Sequence, residues 1–150
     1  MNTKDIMIKD VRSVSPDISA QEALDLLQEM RISGLPVIDA QNNLVGMFTE
    51  KDILSYILPS YIENVGRFVY QENSKAINKK FKELVNIKVD QIMRREVVTT
   101  TEDTTLGELA RIMLTQKNRR LLVLDKLGKV VGIVTRHDVL KAMASGSEAI

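Results

Sequence analysis

Residues 46–52 read GMFTEKD, and residues 132–138 read GIVTRHD. The offset of 86 positions between these stretches also aligns residues 6–54 with residues 92–140 without a gap. A chain that contains one small unit twice is typical of a pseudo-twofold molecule, because neither copy can bury its apolar face alone. The repeat therefore predicts that any function resides in the cleft between the two copies.

Composition narrows the class of protein. The 150 residues are 44% hydrophobic and 27% charged, which suits one compact domain with a real core. No apolar run approaches the ~20 residues that span a bilayer, and the N-terminal stretch MNTKDIMIKD lacks the apolar segment of a signal peptide. The chain has no cysteine, which excludes disulfides and thiolate chemistry and fits a cytoplasmic location. A formal charge of +1 gives no overall attraction to nucleic acid or membrane.

Each copy has the pattern strand, helix, strand, strand, helix, so we predict an α+β fold. In the first copy residues 11–14 alternate as a strand, and Ser19 with Glu22 has the spacing of a helix cap. Asn42 and Gly128 mark the turns of the two hairpins. We predict repeat 1 over residues 1–58, a helical insert over 59–88 and repeat 2 over 89–150.

The insert is too long for a structureless loop in a compact domain. Its residues 74–87 place Ile77, Phe81 and Leu84 at helical spacing, with four lysines mostly on the other faces. This pattern favours a solvated helix that packs its apolar stripe on the domain or on a second subunit. A surface for nucleic acid or a partner is the alternative, although nucleic acid is the less favoured ligand.

Each copy carries Thr-x-x-Asp where a strand gives way to a helix. Unsatisfied backbone N–H groups at such a junction favour an anion such as phosphate, and a carboxylate can accept both hydroxyl protons of a ribose. The same spacing also forms a capping box, which from one copy alone is the favoured interpretation. Both copies keep the same pattern of Gly, two apolar residues and Thr-x-x-Asp, from Gly46 to Asp52 and from Gly132 to Asp138, and this repetition favours a nucleotide site. The two glycines indicate a close approach of ligand or backbone, or tight packing between the copies.

This duplicated pattern, together with residues 35–39 (LPVID), resembles the cystathionine β-synthase (CBS) domain, and two copies resemble a CBS pair, or Bateman module. The resemblance covers residues 3–57 and 89–144. It implies a stand-alone regulatory module that binds an adenosine-containing ligand, such as AMP, ADP, ATP or S-adenosylmethionine, between the copies. It also implies a homodimer that acts on an unknown partner protein or through assembly.

The resemblance assigns roles to individual residues. It implies that Asp52 and Asp138 hold ribose hydroxyls and that Thr49 and Thr135 hold phosphate. It implies base pockets formed mainly by backbone groups and apolar contacts, without assigning a pocket to either aspartate. The residues around these pockets are Val11, Arg12, Val14, Gly34, Leu35, Pro36, Val97, Val98, Thr100, Arg120, Leu121 and Leu122. Leu122 stands where the family has proline, and the offset of 86 exceeds the usual CBS spacing.

The copies differ in charge around the motif. The second copy has Arg119, Arg120, Arg136 and His137, whereas the first has Ser33, Gly34, Glu50 and Lys51 at these positions. Because an arginine fork pairs well with phosphate, we predict that the Asp138 cleft prefers a phosphorylated ligand and the Asp52 cleft binds more weakly or differently. The alternative is that the arginines are ordinary surface charges. His137 is the only histidine, so no metal site is expected, and it is assigned to the helix surface or to an indirect phosphate contact.

No sequence motif for catalysis is present. We find no Ser-His-Asp order, no zinc motif and no glycine-rich phosphate loop, so the chain is not expected to be an enzyme. The leading hypothesis is a regulatory adenine-nucleotide module, with AMP or ATP as ligand and no cofactor. The alternative is a ligand-free dimerisation or interaction scaffold in which Thr-x-x-Asp only caps helices.

Overall fold

The computed structural model describes residues 1–58 and 74–146. Residues 59–73, which are the part of the predicted insert before its helix, and residues 147–150 lie outside the described residues. Numbered over the described part of the chain, the elements are α1 (Thr3–Ile6), α2 (Ala20–Met30), β1 (Gly34–Ile38), β2 (Leu44–Thr49), α3 (Glu50–Ile57), α4 (Ser74–Lys82), a 3₁₀ turn (Glu83–Asn86), α5 (Val89–Ile92), β3 (Thr99–Thr101), α6 (Leu106–Thr115), β4 (Arg120–Leu124), β5 (Val130–Thr135) and α7 (Arg136–Ala144). The mixed α+β fold class is confirmed.

The chain divides into two compact units that do not coincide with the repeats. The repeat-two unit contains Met1–Arg12, Gln41–Leu44 and Val97–Ile150, and the repeat-one unit contains Ser13–Ala40 and Val45–Glu96. Each unit therefore contains the leading segment of the other repeat. These leading segments are Met1–Arg12 of repeat 1, in the repeat-two unit, and residues 89–96 of repeat 2, in the repeat-one unit. The division into residues 1–58, 59–88 and 89–150 describes the repeat in sequence and stays a prediction.

Backbone bridges hold each leading segment in its unit. In the repeat-two unit Ile8 bridges Ile133 through hydrogen bonds of 2.8 and 2.9 Å. In the repeat-one unit Arg94 bridges Met47 through hydrogen bonds of 2.8 and 2.9 Å. Under the offset of 86, Ile8 corresponds to Arg94 and Met47 to Ile133, so the exchange of segments is reciprocal.

The helices begin where the sequence predicts caps. Ser19 is the N-cap of α2 and accepts the Glu22 N–H over 3.0 Å, and Thr105 does the same for Glu108 over 3.3 Å at α6. A short hydroxyl side chain at this position satisfies an N–H that the helix itself leaves unpaired. The capping signals at Ser19 and Thr105 are therefore confirmed.

The repeat-two unit contains a mixed three-stranded sheet in the order β3-β4-β5, and β1 and β2 form a two-stranded sheet. Strand β3 pairs with β4 in parallel, and β4 pairs with β5 in antiparallel register with Arg120 opposite Thr135. The strand expected over residues 11–14 is wrong except at Val14, which makes one parallel bridge to Val37. Residues 11–13 are assigned no strand, and the Val11 N–H bonds locally to the Lys9 carbonyl over 3.0 Å. The alternation was too short to specify a partner strand.

Each unit has its own apolar core. The repeat-one core is built on Leu27, Leu35, Phe48 and Leu84, and the repeat-two core on Leu106, Leu109, Leu121 and Val134, all of which are almost fully buried. The helix predicted in the insert is confirmed for its described part as α4. Leu84, which follows α4 in the 3₁₀ turn, is completely buried, so this part of the insert belongs to the repeat-one core. No helix in residues 1–58 or 74–146 has the length and apolar character to cross a membrane.

Gly46 and Gly132 lie where a leading segment crosses a strand. A Cβ atom on Gly46 would stand 2.6 Å from the Arg94 carbonyl oxygen, and one on Gly132 would stand 2.6 Å from Met7 Sδ. Both distances are far below van der Waals contact, so the side-chain hydrogen of glycine is what lets the segments approach. Arg94 and Met7 each come from the other repeat in sequence, so the expectation of tight packing is confirmed at both glycines. The turn residues are confirmed as well, with a positive φ of 65° at Asn42 and 80° at Gly128.

Candidate functional site

Both Thr-x-x-Asp motifs form complete capping boxes. The Thr49 N–H and hydroxyl donate to Asp52 Oδ2 over 2.8 and 3.0 Å, and the Asp52 N–H donates back to the Thr49 hydroxyl over 3.3 Å. The corresponding distances for Thr135 and Asp138 are 2.9, 2.7 and 3.1 Å. The capping interpretation of the motif is therefore correct for both copies.

The capping box engages only one oxygen of each carboxylate. Within the described ranges, Oδ1 of Asp52 and Oδ1 of Asp138 accept no hydrogen bond from the protein. Both aspartates are half-buried at the first turn of a helix, α3 or α7. A carboxylate oxygen has room for two hydrogen bonds, so each box can cap its helix and still accept donors from a ligand.

A cavity of about 370 Å³ collects the basic residues of the second copy. Its lining consists of Arg119, Arg120, Thr135, Arg136 and His137. Register brings these residues together, because Arg120 lies opposite Thr135 across β4 and β5, and the Arg136 N–H donates to the Arg119 carbonyl over 2.8 Å. The structure therefore places side by side five residues that the sequence separates into two groups.

The cavity is strongly cationic. Its lining includes three guanidinium groups and no carboxylate. In the described part of the chain, no carboxylate lies within ion-pair distance of Arg119 or Arg136. The N-terminus of α7 adds the positive end of a helix dipole at Thr135. These charges together favour a multiply charged anion.

Asp138 lines a second cavity of about 310 Å³ in the same unit. The other lining residues are Met1, Ile6, Lys141, Ala142 and Ser145. The Thr135–Asp138 pair therefore borders both cavities, with the cationic one on the Thr135 side. Lys141 and Ser145 are not among the site residues predicted from the sequence. The helical spacing of Lys141, three residues after Asp138 on α7, was the signal that could have found it.

The first copy keeps the backbone of the site without its charge. The Glu50 N–H donates to the Ser33 carbonyl over 2.9 Å, as Arg136 does to Arg119. Gly34 takes the place of Arg120 and packs so closely on Thr49 that a Cβ atom would stand 2.9 Å from the threonine methyl group. An arginine is therefore sterically disfavoured at residue 34. The first copy thus lacks a structural equivalent of the cationic cavity's side chains.

The remaining predicted site residues lie in different surroundings. Leu35, Pro36 and Leu121 are buried, with the two leucines in the cores, so their side chains are engaged in packing. Thr100 is buried on β3 and donates its hydroxyl to Thr104 over 2.8 Å. The others divide between the units, with Val11, Arg12, Val97 and Val98 in the repeat-two unit and Val14, Gly34, Thr49 and Asp52 in the repeat-one unit.

Known proteins resemble this chain over most of its length. It is 33% identical over 137 residues to inosine-5'-monophosphate dehydrogenase of Methanocaldococcus jannaschii, which covers 91% of this chain and 22% of that enzyme. It is 36% identical over 146 residues to the chloroplastic CBS domain-containing protein CBSX1 of Arabidopsis thaliana, covering 89% of this chain and 59% of the relative. The chain thus spans about a fifth and three fifths of these relatives.

The fold is also that of a solved CBS protein. The crystal structure of Arabidopsis CBSX2 in complex with AMP superposes with a TM-score of 0.71 at 32% identity, covering 96% of both chains. The sequence profile of the CBS domain matches residues 4–59 and 89–145. These two segments contain both Thr-x-x-Asp boxes and correspond to the two copies of the internal repeat. This protein therefore belongs to the CBS domain family and carries two CBS domains.

Proposed function

We propose that this chain is a regulatory module that binds an adenine nucleotide, AMP or ATP, at the Thr135–Asp138 box. The observation that carries the proposal is the cationic cavity of Arg119, Arg120 and Arg136 beside a carboxylate with one unengaged oxygen. The AMP complex of CBSX2, a protein of the same family and fold, supports the ligand class.

The two polar parts of a nucleotide fit the two sides of the box. Phosphate oxygens accept from the guanidinium groups and the Thr135 side, while Oδ1 of Asp138 accepts from a ribose hydroxyl. S-adenosylmethionine carries a sulfonium cation where AMP carries phosphate. The cationic cavity therefore favours a phosphorylated ligand over S-adenosylmethionine.

Residue exchange between the repeats tests the charge argument. We expect Arg119→Ser and Arg120→Gly, which install the residues of the first copy, each to weaken AMP and ATP binding by about tenfold, which corresponds to the loss of one charge-assisted hydrogen bond. Isothermal titration measures the affinities. The matched control is Ser33→Arg, which adds an arginine to the first copy and should leave these affinities unchanged. Equal affinities for the wild type and both arginine variants would show that the arginines are only surface charges.

A second titration separates ligand binding from capping at Asp138. In Asp138→Asn the side-chain oxygen can still accept the Thr135 N–H, but the charge that receives ribose hydroxyls is lost. We expect about tenfold weaker AMP binding in this variant and no further loss with 2',3'-dideoxy-AMP, because both changes remove the same interaction. Additive losses would mean that Asp138 does not contact the ribose. The same substitution at Asp52 should have a smaller effect on AMP.

The complete capping boxes favour a second candidate, a ligand-free scaffold. A thermal-shift panel of AMP, ADP, ATP and S-adenosylmethionine distinguishes the two, because a ligand at 100 times its dissociation constant adds about 2.7 kcal/mol of stability. An absence of any shift at millimolar concentration would leave the scaffold.

The proposal also covers how the module acts on other proteins. We propose that the chain has no catalytic activity of its own, forms a homodimer and passes its signal to a partner protein in the cytoplasm. Light scattering with and without nucleotide measures the assembly state, and fractionation of cells measures the location. A monomer under both conditions would exclude signalling through dimerisation.

A further inference from the structure

The cavity that contains Asp138 is lined by two segments that are far apart in the sequence. Helix α7 supplies Asp138, Lys141 and Ala142, which lie three or four residues apart and therefore share one face of the helix. Met1 and Ile6, from the leading segment of repeat 1, also line it. Helix α1 packs on α7 within the repeat-two unit. The cavity beside the Asp138 box is therefore built from residues of both repeats.

The two cavities of the repeat-two unit divide the box between them. Thr135 lines the cationic cavity, and Asp138 lines the cavity with Ile6. A ligand that engages both residues of the box therefore extends into both cavities. In the proposed nucleotide the phosphate belongs in the cationic cavity. The nucleoside then lies on the Asp138 side, where Met1, Ile6 and Ala142 offer apolar surface beside the carboxylate.

Hydrogen bonds attach the leading segment of repeat 1 independently of any ligand. The Thr3 N–H and hydroxyl donate to the Thr104 carbonyl over 2.9 and 2.8 Å, and Thr3 is completely buried. The Lys4 N–H donates to the Glu102 carbonyl over 3.1 Å, and the bridge of Ile8 to β5 continues the attachment. Exchange of these amide hydrogens with solvent requires the attachment to open, so it can be measured residue by residue.

The repeat-one unit has the same attachment at its own leading segment. The Val89 N–H donates to the Ile18 carbonyl over 2.9 Å, and the Asp90 N–H donates to the Pro16 carbonyl over 3.1 Å. Under the offset of 86 these two bonds are the equivalents of those made by the Thr3 and Lys4 N–H groups. The chain therefore contains an internal control for any effect on the attachment.

The side chains beside the box differ between the two units. Tyr56 stands at the position of Ala142, and its hydroxyl is engaged with Glu83 over 2.7 Å. A tyrosine at residue 142 would take up part of the space beside Asp138 that the alanine leaves. The two units thus share the attachment of the leading segment but not the side chains that line the Asp138 cavity.

We propose that the leading segment of repeat 1 is the ligand-responsive element of this module. The nucleotide bound at Asp138 contacts Ile6 and thereby strengthens the attachment of residues 3–8 to the repeat-two unit. This inference rests on the proposed function. By linkage, the factor by which detachment of the segment weakens nucleotide binding equals the factor by which the nucleotide suppresses detachment. The effect of the nucleotide leaves the site along the segment that leads to Ser13, where the repeat-one unit begins.

Amide hydrogen exchange of the full chain, measured by NMR with and without AMP, tests the proposal. At an AMP concentration of about 100 times its dissociation constant, we expect the Lys4 and Ile8 amides to exchange at least about tenfold more slowly. The Asp90 and Arg94 amides, which make the equivalent hydrogen bonds in the repeat-one unit, should slow by a much smaller factor.

A pair of matched variants tests the contact itself. Ile6→Ala should weaken AMP binding about threefold to tenfold in isothermal titration, because apolar contact with the nucleoside is lost. Ile92→Ala is the control, since Ile92 is the equivalent residue, is likewise half-buried and packs against the core of its own unit. It should bind AMP like the wild type, and circular dichroism of both variants checks that they fold.

The outcomes separate this inference from the proposed function. AMP binding that slows both leading segments equally, or neither, would overturn the role of the repeat 1 segment and leave the nucleotide site intact. Equal affinities of Ile6→Ala and the wild type would overturn the contact in the same way. A wild type that binds no AMP at millimolar concentration would overturn the proposed function and this inference together.

Discussion

Alanine at residue 46 should destabilise this protein more than alanine at the equivalent residue 132. The new methyl group at residue 46 would stand 2.6 Å from the Arg94 carbonyl oxygen, which is backbone and already accepts the Met47 N–H over 2.8 Å. Relief of the clash requires the leading segment to move away, which also weakens that hydrogen bond and its partner. Overpacking costs about 1–3 kcal/mol and each weakened hydrogen bond about 1 kcal/mol, against a gain of about 0.5–1 kcal/mol from replacing glycine. We expect a net loss of about 2–4 kcal/mol.

At residue 132 the nearest clash is with a flexible side chain rather than with backbone. The methyl group would stand 2.6 Å from Met7 Sδ and 3.1 Å from the Ile8 carbonyl oxygen. A thioether rotates away at low cost, so the expected net loss is about 1 kcal/mol. Gly107→Ala is the matched control, because a Cβ atom there meets nothing within 4 Å and alanine favours the helix by about 0.5–1 kcal/mol.

Urea denaturation and thermal melting measure the series. For a chain of this length 1 kcal/mol corresponds to about 2–4 °C in Tm, so Gly46→Ala should melt about 4–16 °C below the wild type and Gly107→Ala slightly above it. A loss at Gly46→Ala below about 0.5 kcal/mol, or smaller than that at Gly132→Ala, would refute the conclusion that backbone contact with the leading segment is what requires glycine.

Three further changes test other parts of the fold. Leu84→Ala should lower the free energy of unfolding by about 3 kcal/mol, since Leu84 is fully buried, whereas the control Val85→Ala, at a 60% exposed residue, should change it by under about 0.5 kcal/mol. Similar urea midpoints for the two variants would contradict the packing of the insert on the core. The hydrogen bond to Glu83, with burial and the nearby charge, raises the pKa of Tyr56, so the stabilisation from this bond is complete below pH 10 and is lost as pH rises through the raised pKa. Tyr56→Phe should lower the free energy of unfolding at pH 8 by about 0.5–1 kcal/mol, and its melting temperature should decline less above pH 10 than that of the wild type. An unchanged decline would show that other groups cause it. Gly128→Ala should cost about 1 kcal/mol because residue 128 has a φ of 80°, and a neutral effect in the same melts would mean that the turn relaxes.

Local signals were predicted well because their physics is local. Ser19 and Thr105 cap α2 and α6 as expected, since a hydroxyl three residues before a backbone N–H needs no tertiary context. The prediction of a strand over residues 11–14 was wrong, because strand pairing depends on a partner that the sequence does not identify. Only Val14 finds one, at Val37.

The structure makes the two interpretations of Thr-x-x-Asp, helix cap and ligand site, compatible with each other. The sequence presented the two as alternatives, whereas the capping box occupies Oδ2 of each aspartate and leaves Oδ1. Which oxygen a hydrogen bond uses is a matter of side-chain geometry, and no spacing rule contains it.

From its sequence alone this protein is a duplicated α+β unit with caps, turns and an uneven distribution of arginine, because these features depend on neighbouring residues or on comparison at a fixed offset. Tertiary structure decided that each compact unit takes its leading segment from the other repeat, and that Arg119, Arg120 and Arg136 line one cavity. It also decided that part of the insert joins the repeat-one core, where Leu84 is completely buried. These outcomes depend on contacts between residues far apart in the chain, whose free energies are set by packing and register rather than by local preference.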